Sequence, residues 1–191
     1  MKRLLVVVWL LCHFALLQAQ SNDDGYVSID GLKKSLGVNM KFKVPKGWEE
    51  IHSELPRVVK GYSNGGAMFY IAVIESQTFV SRNEFRNQNV ENFVNQLETE
   101  TRNEPDLIEY TEISHDLVTI DKYPFIVISS DELRRSDPFL LRCQVVRYFT
   151  CYEDRTISIY FFNYYADPKS FSSSVAYITS SIIFPDQYSV Y

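Results

Sequence analysis

The run from Phe139 to Tyr165, FLLRCQVVRYFTCYEDRTISIYFFNYY, constrains this chain more than any other stretch. Two β-branched and aromatic segments flank the polar tip Glu153-Asp154-Arg155, the pattern of a central β-hairpin. In the first strand Leu141, Cys143, Val145, Phe149 and Cys151 share one parity, opposed by Arg142, Gln144 and Thr150. In the second, Ile157, Ile159 and Phe161 are opposed by Ser158. Side chains alternate with period two, so each strand has one mostly apolar face. Setting those faces together requires a loop of odd length. Three residues, Glu153 to Arg155, would place Phe149 opposite Ile159 and Cys151 opposite Ile157. The other face carries Val146, Tyr148, Tyr152, Tyr160, Phe162 and Tyr164, so neither face suits bare water. The pattern predicts an antiparallel sheet covered by helices on both faces. The alternative is an exposed tyrosine-rich binding face built on Tyr148, Tyr160 and Tyr164.

Residues 1–20 read as a signal peptide. Lys2 and Arg3 precede an apolar run from Leu4 to Leu17 broken only by His13, and Gln18-Ala19-Gln20 offers a small-residue cleavage site. The run is too short for a comfortable membrane span, and no later apolar stretch reaches about 18 residues. Cys12 follows bulky Leu11 inside the run, which argues against a lipid-modified cysteine. The expectation is an exported protein, periplasmic or extracellular, with no integral membrane segment after signal removal. Once Lys2 and Arg3 are gone, 17 basic residues stand against 24 acidic ones, a net charge of about −7. Scattered basic residues and that sign argue against a nucleic-acid partner. Roughly 170 remaining residues suit one domain with a substantial core.

Residues 21–37 are polar, with a short helical hint at Leu32 to Leu36, and read as a tether of low order. The domain is expected to span 38–191. Met40, Phe42 and Val44 alternate with Lys41 and Lys43, a strand with a solvated outer face, ending in Pro45-Lys46-Gly47-Trp48. Ser63-Asn64-Gly65-Gly66 between two apolar runs predicts a hairpin. Ser81 to Arg102 predicts one long helix, opened by a Ser81/Glu84 capping box, with Phe85, Val90, Phe93, Val94 and Leu97 on one side. Leu107–Ile113, Leu117–Ile120 and Tyr123–Ser130 read as strand around an Asp121-Lys122 turn, and Asp131–Pro138 as a charged loop. Asp167-Pro168 predicts a helix start, followed by the stripe Phe171, Val175, Ile178 and Ile182, with Pro185 as the stop.

Two cysteines outlast signal removal, Cys143 and Cys151. An exported protein with such a pair suggests a disulfide. Eight residues along one extended strand hold them about 26 Å apart, however, and a disulfide needs Cα atoms within about 7 Å. Two buried thiols are predicted instead. His52 and His115 are the remaining histidines, with no Cys-x-x-Cys and no ligand-spaced partner, so no metal site and no cofactor are expected. Glu49-Glu50, Asp131-Glu132 and Glu153-Asp154 are sequence neighbours that point apart in extended chain, the behaviour of solvated surface. Trp48 is either a recognition platform or the closing edge of a core.

Phe42-Lys43-Val44-Pro45-Lys46-Gly47-Trp48 near the start and Tyr177 to Phe184, YITSSIIF, near the end carry a family resemblance. With the order strand, hairpin, long helix, antiparallel strands and final helix, the chain resembles the PsbP-like group over about Val38 to Phe184. That group includes the lumenal photosystem subunits, the Ran-binding Mog proteins and envelope proteins related to DcrB. The resemblance implies an α/β/α sandwich and a binding or assembly role with no shared catalytic set. The reading is therefore a non-enzymatic envelope accessory protein that contacts another protein through sheet-edge loops or the region of Trp48. A glycan- or small-ligand-binding module using Trp48, Tyr148, Tyr160 and Tyr164 is the first alternative. A hydrolase in which His52 or His115 meets a carboxylate or thiol is the second, and a toxin-neutralising role fits the acidity equally.

Overall fold

The computed structural model describes residues 25–75 and 81–188; the expected signal peptide lies outside the described residues. In chain order the elements are β1 (Tyr26–Ser28), β2 (Lys41–Lys43), β3 (Glu49–Glu50), β4 (Val58–Asn64), β5 (Ala67–Glu75), α1 (Arg82–Asn87), α2 (Val90–Arg102), β6 (Leu107–Ile120), β7 (Tyr123–Ser136), β8 (Phe139–Tyr152), β9 (Arg155–Asn163) and α3 (Pro168–Ser180). β1 and β2 form a small ribbon, and the other seven strands form one sheet in the order β3-β4-β5-β9-β8-β7-β6. Each neighbour runs antiparallel to the next. The chain is α+β.

The central hairpin is shifted by one residue from the sequence expectation. β8 and β9 are joined by the two-residue turn Glu153-Asp154, with Tyr152 paired to Arg155 and Glu153 at φ 52°. Tyr148 therefore lies opposite Ile159, and Phe149 opposite Ser158. Two-residue connections match the twist of the strands they join, and that preference outweighs the matching of the two apolar parities. A one-residue slip exchanges faces completely. Tyr148 and Tyr152 join Ile157, Ile159 and Phe161 on one face; Cys143, Val145, Phe149 and Cys151 join Tyr160, Phe162 and Tyr164 on the other.

The first face holds the larger apolar cluster. Phe69, Ile71, Ile159 and Phe161 of the sheet pack with Phe171, Val175 and Ile178 of α3 and with Ile29, Met40 and Phe42 from the ribbon. The rings of Phe69 and Phe161 stack at 5.5 Å between centroids, and Phe42 meets Phe69 edge-on at 6.0 Å. The second face holds a smaller cluster, in which Phe85 of α1 and Val94 of α2 pack on Ile126, Ile128, Phe149 and Cys151. The apolar stripe expected of α3 is buried throughout, Ile182 included, and Asp167 caps the helix by accepting from the Ser170 amide at 2.9 Å.

Four further segments differ from expectation. Within the segment read as a tether, residues 25–37 carry β1, paired to β2 from Tyr26↔Lys43 to Ser28↔Lys41, and a 3-10 turn at Lys33–Ser35. Val27 and Ile29 alternate inward there, and Ile29 is fully buried. The single long helix is two, because Gln88 turns extended (ψ 156°) and Asn89 restarts the helix by accepting from the Asn92 amide. Leu107 to Ile120 is one continuous strand, bulged near Ile108 and Ile113. Asp131–Ser136, read as charged loop, continues β7, since its Glu132 and Arg134 are neutralised by partners rather than by water.

Beyond Gln144↔Asn163, where β9 ends, β8 runs on to Phe139 paired with β7, and β6 flanks β7 along the same stretch. The result is a three-stranded arm that overhangs the rest of the sheet. At its tip Phe139 is 66% and Leu140 58% exposed.

Candidate functional site

The second face divides into two halves with different chemistry. One transverse row of paired residues crosses it: Gly61, Tyr70, Tyr160, Arg147, Ile128 and His115, from β4 to β6. The β6–β7–β8 half lies beneath α1 and α2. Phe93 of α2 meets Phe149 edge-on at 5.6 Å, and Phe85 meets Phe93 at 6.0 Å. The β4–β5–β9 half presents half-buried rings to one another. Tyr160 and Phe162 stack at 6.4 Å, Phe162 and Tyr164 at 6.3 Å, and Tyr70 stands edge-on to Phe162 at 6.2 Å. Tyr160, Phe162 and Tyr164 sit at i, i+2 and i+4 along β9 and the residue that follows it, the spacing that lines one side of a strand. Gly61 lets the Tyr70 ring lie against β4: a Cβ there would stand 2.8 Å from Tyr70 Cδ1 and 3.1 Å from Ile51 Cγ1. Burial pushes the Tyr164 phenol up to about 12 and raises Tyr70 and Tyr160 as well, so all three are neutral hydrogen-bonding groups at physiological pH.

An ionic clasp closes the covered half toward the arm. Glu132 is 0% and Arg147 3% exposed. The Glu132 carboxylate accepts from Arg147, from Ser130 Oγ at 2.8 Å and from Arg134 Nε at 2.7 Å. Arg147 also donates to Ser130 Oγ at 2.8 Å. Arg134 reaches outward to Asp106 at 2.9 Å and Glu104 at 2.7 Å, tying the α2–β6 connection to the arm. Charges this deeply buried persist only when paired and hydrogen-bonded. Sequence reasoning missed the clasp. The available signal was Arg147 itself, a lone cation on the otherwise apolar parity of β8 between Val145 and Phe149.

The sequence-selected residues do not assemble into one site. Trp48 packs against the first-face cluster, its ring 5.5 Å from Phe69, as the closing edge of a core. Tyr148 is on the same face, between Phe125 and Phe161 at 6.4 and 5.8 Å. Tyr160 and Tyr164 alone share the second face. Cys143 and Cys151 are buried thiols on β8, and desolvation pushes both up to about 11. His115 meets carboxylates, as the hydrolase alternative requires: its Nδ1 is 2.7 Å from Glu112 and its Nε2 2.9 Å from Glu91, a bridge between β6 and α2. The Glu112 hydrogen bond, with help from Glu91, raises its pKa above the usual histidine value despite some desolvation. His52 is exposed and lines a hollow of about 260 Å³ with Glu50 and Lys60. Among the described residues, no group of three or more His, Cys, Asp or Glu is placed to hold a metal ion, and no helix is long and apolar enough to cross a membrane.

A larger cleft, about 950 Å³, opens on the second face beside the aromatic row. Phe149, Thr156, Ser158 and Tyr160 line its floor; Phe93, Gln96, Leu97 and Glu100 of α2 line one wall; Lys33, Lys34, Leu36, Pro56 and Arg57 line the other.

The chain's antiparallel α+β fold is like that of the PsbP and Mog proteins. The solution structure of the cyanobacterial PsbP protein CyanoP from Synechocystis sp. PCC 6803 matches 86% of this chain and 95% of its own, with a TM-score of 0.55 at 10% identity. The crystal structure of the Saccharomyces cerevisiae Ran-binding protein Mog1p matches 85% of this chain and 97% of its own, with a TM-score of 0.51 at 8% identity. A crystal structure from Bacteroides thetaiotaomicron matches 80% of this chain at a TM-score of 0.48 and 11% identity, and this chain spans 47% of that longer protein. No family model matches the sequence, and neither does any curated protein. The likenesses to CyanoP and Mog1p carry the fold alone.

Proposed function

We propose that this is an exported, non-enzymatic accessory protein of the cell envelope that works by contact with another protein. The observation that carries the reading is the arm, which places Phe139 and Leu140 in water at the tip of the paired strands β7 and β8, with β6 flanking β7 up to Arg134. Exposed apolar residues at a fixed projecting point are what a protein–protein anchor requires. The edge strand β6 carries the further exposed apolar residues Ile108, Ile113 and Leu117. Its two bulges bend the strand and discourage indiscriminate edge pairing, leaving side chains rather than backbone to make the contact. Packing of α3 against one face, and of α1 and α2 against part of the other, supports reading the layering as α/β/α. Mog1p, which shares that fold, is a Ran-binding protein, so a binding use of this architecture has a precedent.

Crosslinking capture from the native envelope tests the reading, using the mature chain beside a Phe139→Asp/Leu140→Asp variant. One stoichiometric protein partner, held by the parent chain and lost with the variant, is the expected result. A second reading, a small-ligand-binding module, is favoured by the cleft and by Tyr160 on its floor.

A further inference from the structure

On that ligand-binding reading, we infer that the cleft between α2 and the 33–36 and 56–57 segments takes a small amphipathic anion, an apolar acyl-type body with one carboxylate or phosphate head. The apolar part of the lining is continuous: Phe93 and Leu97 on the helix, Phe149 and Tyr160 below, Ile74 and Leu36 at the ends. Phe93 meets Phe149 edge-on at 5.6 Å and Phe149 meets Tyr160 at 5.9 Å, so these rings form a packed floor, while half-buried Leu97 and Ile74 and exposed Leu36 supply the open apolar surface. Phe93, Gln96, Leu97 and Glu100 fall at i, i+3, i+4 and i+7, one stripe of α2 about 10 Å long. Thr156, Ser158 and Tyr160 run about 13 Å along β9. A trough of that length suits a medium acyl chain and is too short for a polymer.

The charge on the rim sets the sign of the head group. Lys34 Nζ donates to the carbonyls of Ser53 and Leu55, each at 3.0 Å, which fixes the 3-10 turn beside the 53–57 segment. Lys33 and Arg57, on the same wall, make no side-chain hydrogen bond or ion pair among the described residues. On the opposite wall Glu100 accepts from Gln96 Nε2 at 2.9 Å, and Glu75 lies at the end of β5. Three cations on one wall of a chain with a net charge of −5 make a local reversal of sign. An anion's head seats on that wall while its body lies along Leu97 and over Tyr160.

Isothermal titration of the mature protein with dodecanoate, dodecyl phosphate, dodecanol and dodecyltrimethylammonium, each below its micelle concentration, tests the assignment. We expect one-to-one binding of both anions, at least tenfold tighter than the alcohol, with no saturable binding of the cation. Lys33→Gln/Arg57→Gln weakens the anions about tenfold and leaves the alcohol unchanged, while Lys33→Arg/Arg57→Lys restores them. Both positions are exposed, so the fold is undisturbed; Leu97→Asp blocks the trough independently. Preferential binding of the alcohol or the cation overturns the anion assignment and leaves a ligand site standing. Binding of none of the four removes the site itself.

Discussion

The two halves of the second sheet face are built from neighbouring residues of the same strands yet solve the problem of exposure differently. On β6, β7 and β8, Ile126, Ile128 and Phe149 are sealed beneath α1 and α2, and the charged pair Glu132–Arg147 is sealed with them. On β5, β9 and just past the end of β9, Tyr70, Tyr160, Phe162 and Tyr164 stay half-buried against one another beside an open cleft. Phenylalanine and isoleucine dominate where a helix arrives. Tyrosine dominates beside the cleft, where its ring packs while its hydroxyl still finds a partner, as Tyr70 donates to Met68 Sδ at 3.2 Å. The sealed half carries stability and the open half is available for contact.

The largest expected effect breaks the sealed half at its clasp. Glu132→Gln, and separately Arg147→Met, should each cost about 3–5 kcal/mol in urea unfolding, because each strands a buried charge. The double replacement should cost less than the sum, and additivity would mean that the two residues do not act as a pair. A second comparison sets Phe149→Ala against Phe162→Ala on the same face. Loss of the sealed ring should cost about 3–4 kcal/mol, and loss of the half-exposed one about 1–2. Equal costs would erase the distinction between the halves.

Much of this arrangement was legible in the residues before any coordinates. The Asn64-Gly65-Gly66 hairpin, the α3 start at Asp167-Pro168 and its buried stripe follow from local rules, and so does the alternation of Met40, Phe42 and Val44. The face assignment of the tyrosines was not legible, because it hangs on one residue in the length of the Glu153-Asp154 turn. Parity arguments give each strand two faces but cannot say which of them meet. Asp131–Ser136 was hidden for a different reason. Charged residues read as loop until a partner is known, and the partner of Glu132 lies on another strand, at Arg147. The break at Gln88–Asn89 was masked because asparagine serves equally as a weak helix former and as a cap.

Smaller effects sharpen the comparison. Cys143 and Cys151, raised by burial beneath the sealed half, should resist a disulfide reagent at pH 8 in the native protein and react only on unfolding; prompt native labelling would show that this half opens. His115 latches α2 to β6, and its pKa is raised, so its contribution is complete below about pH 6.5 and is lost as pH climbs through the raised value. The partly exposed bridge should contribute less than about 1 kcal/mol. His115→Gln should remove that part of the pH dependence, as read by unfolding at pH 6 and pH 9.

The most direct test of the division of labour uses the arm, where contact and stability are most cleanly separated. Phe139→Asp/Leu140→Asp should leave the unfolding free energy within about 0.5 kcal/mol of the parent, because both side chains already stand in water. The same variant should lose the captured envelope partner. Unchanged capture, or a variant destabilised as strongly as the clasp mutants, would contradict the account.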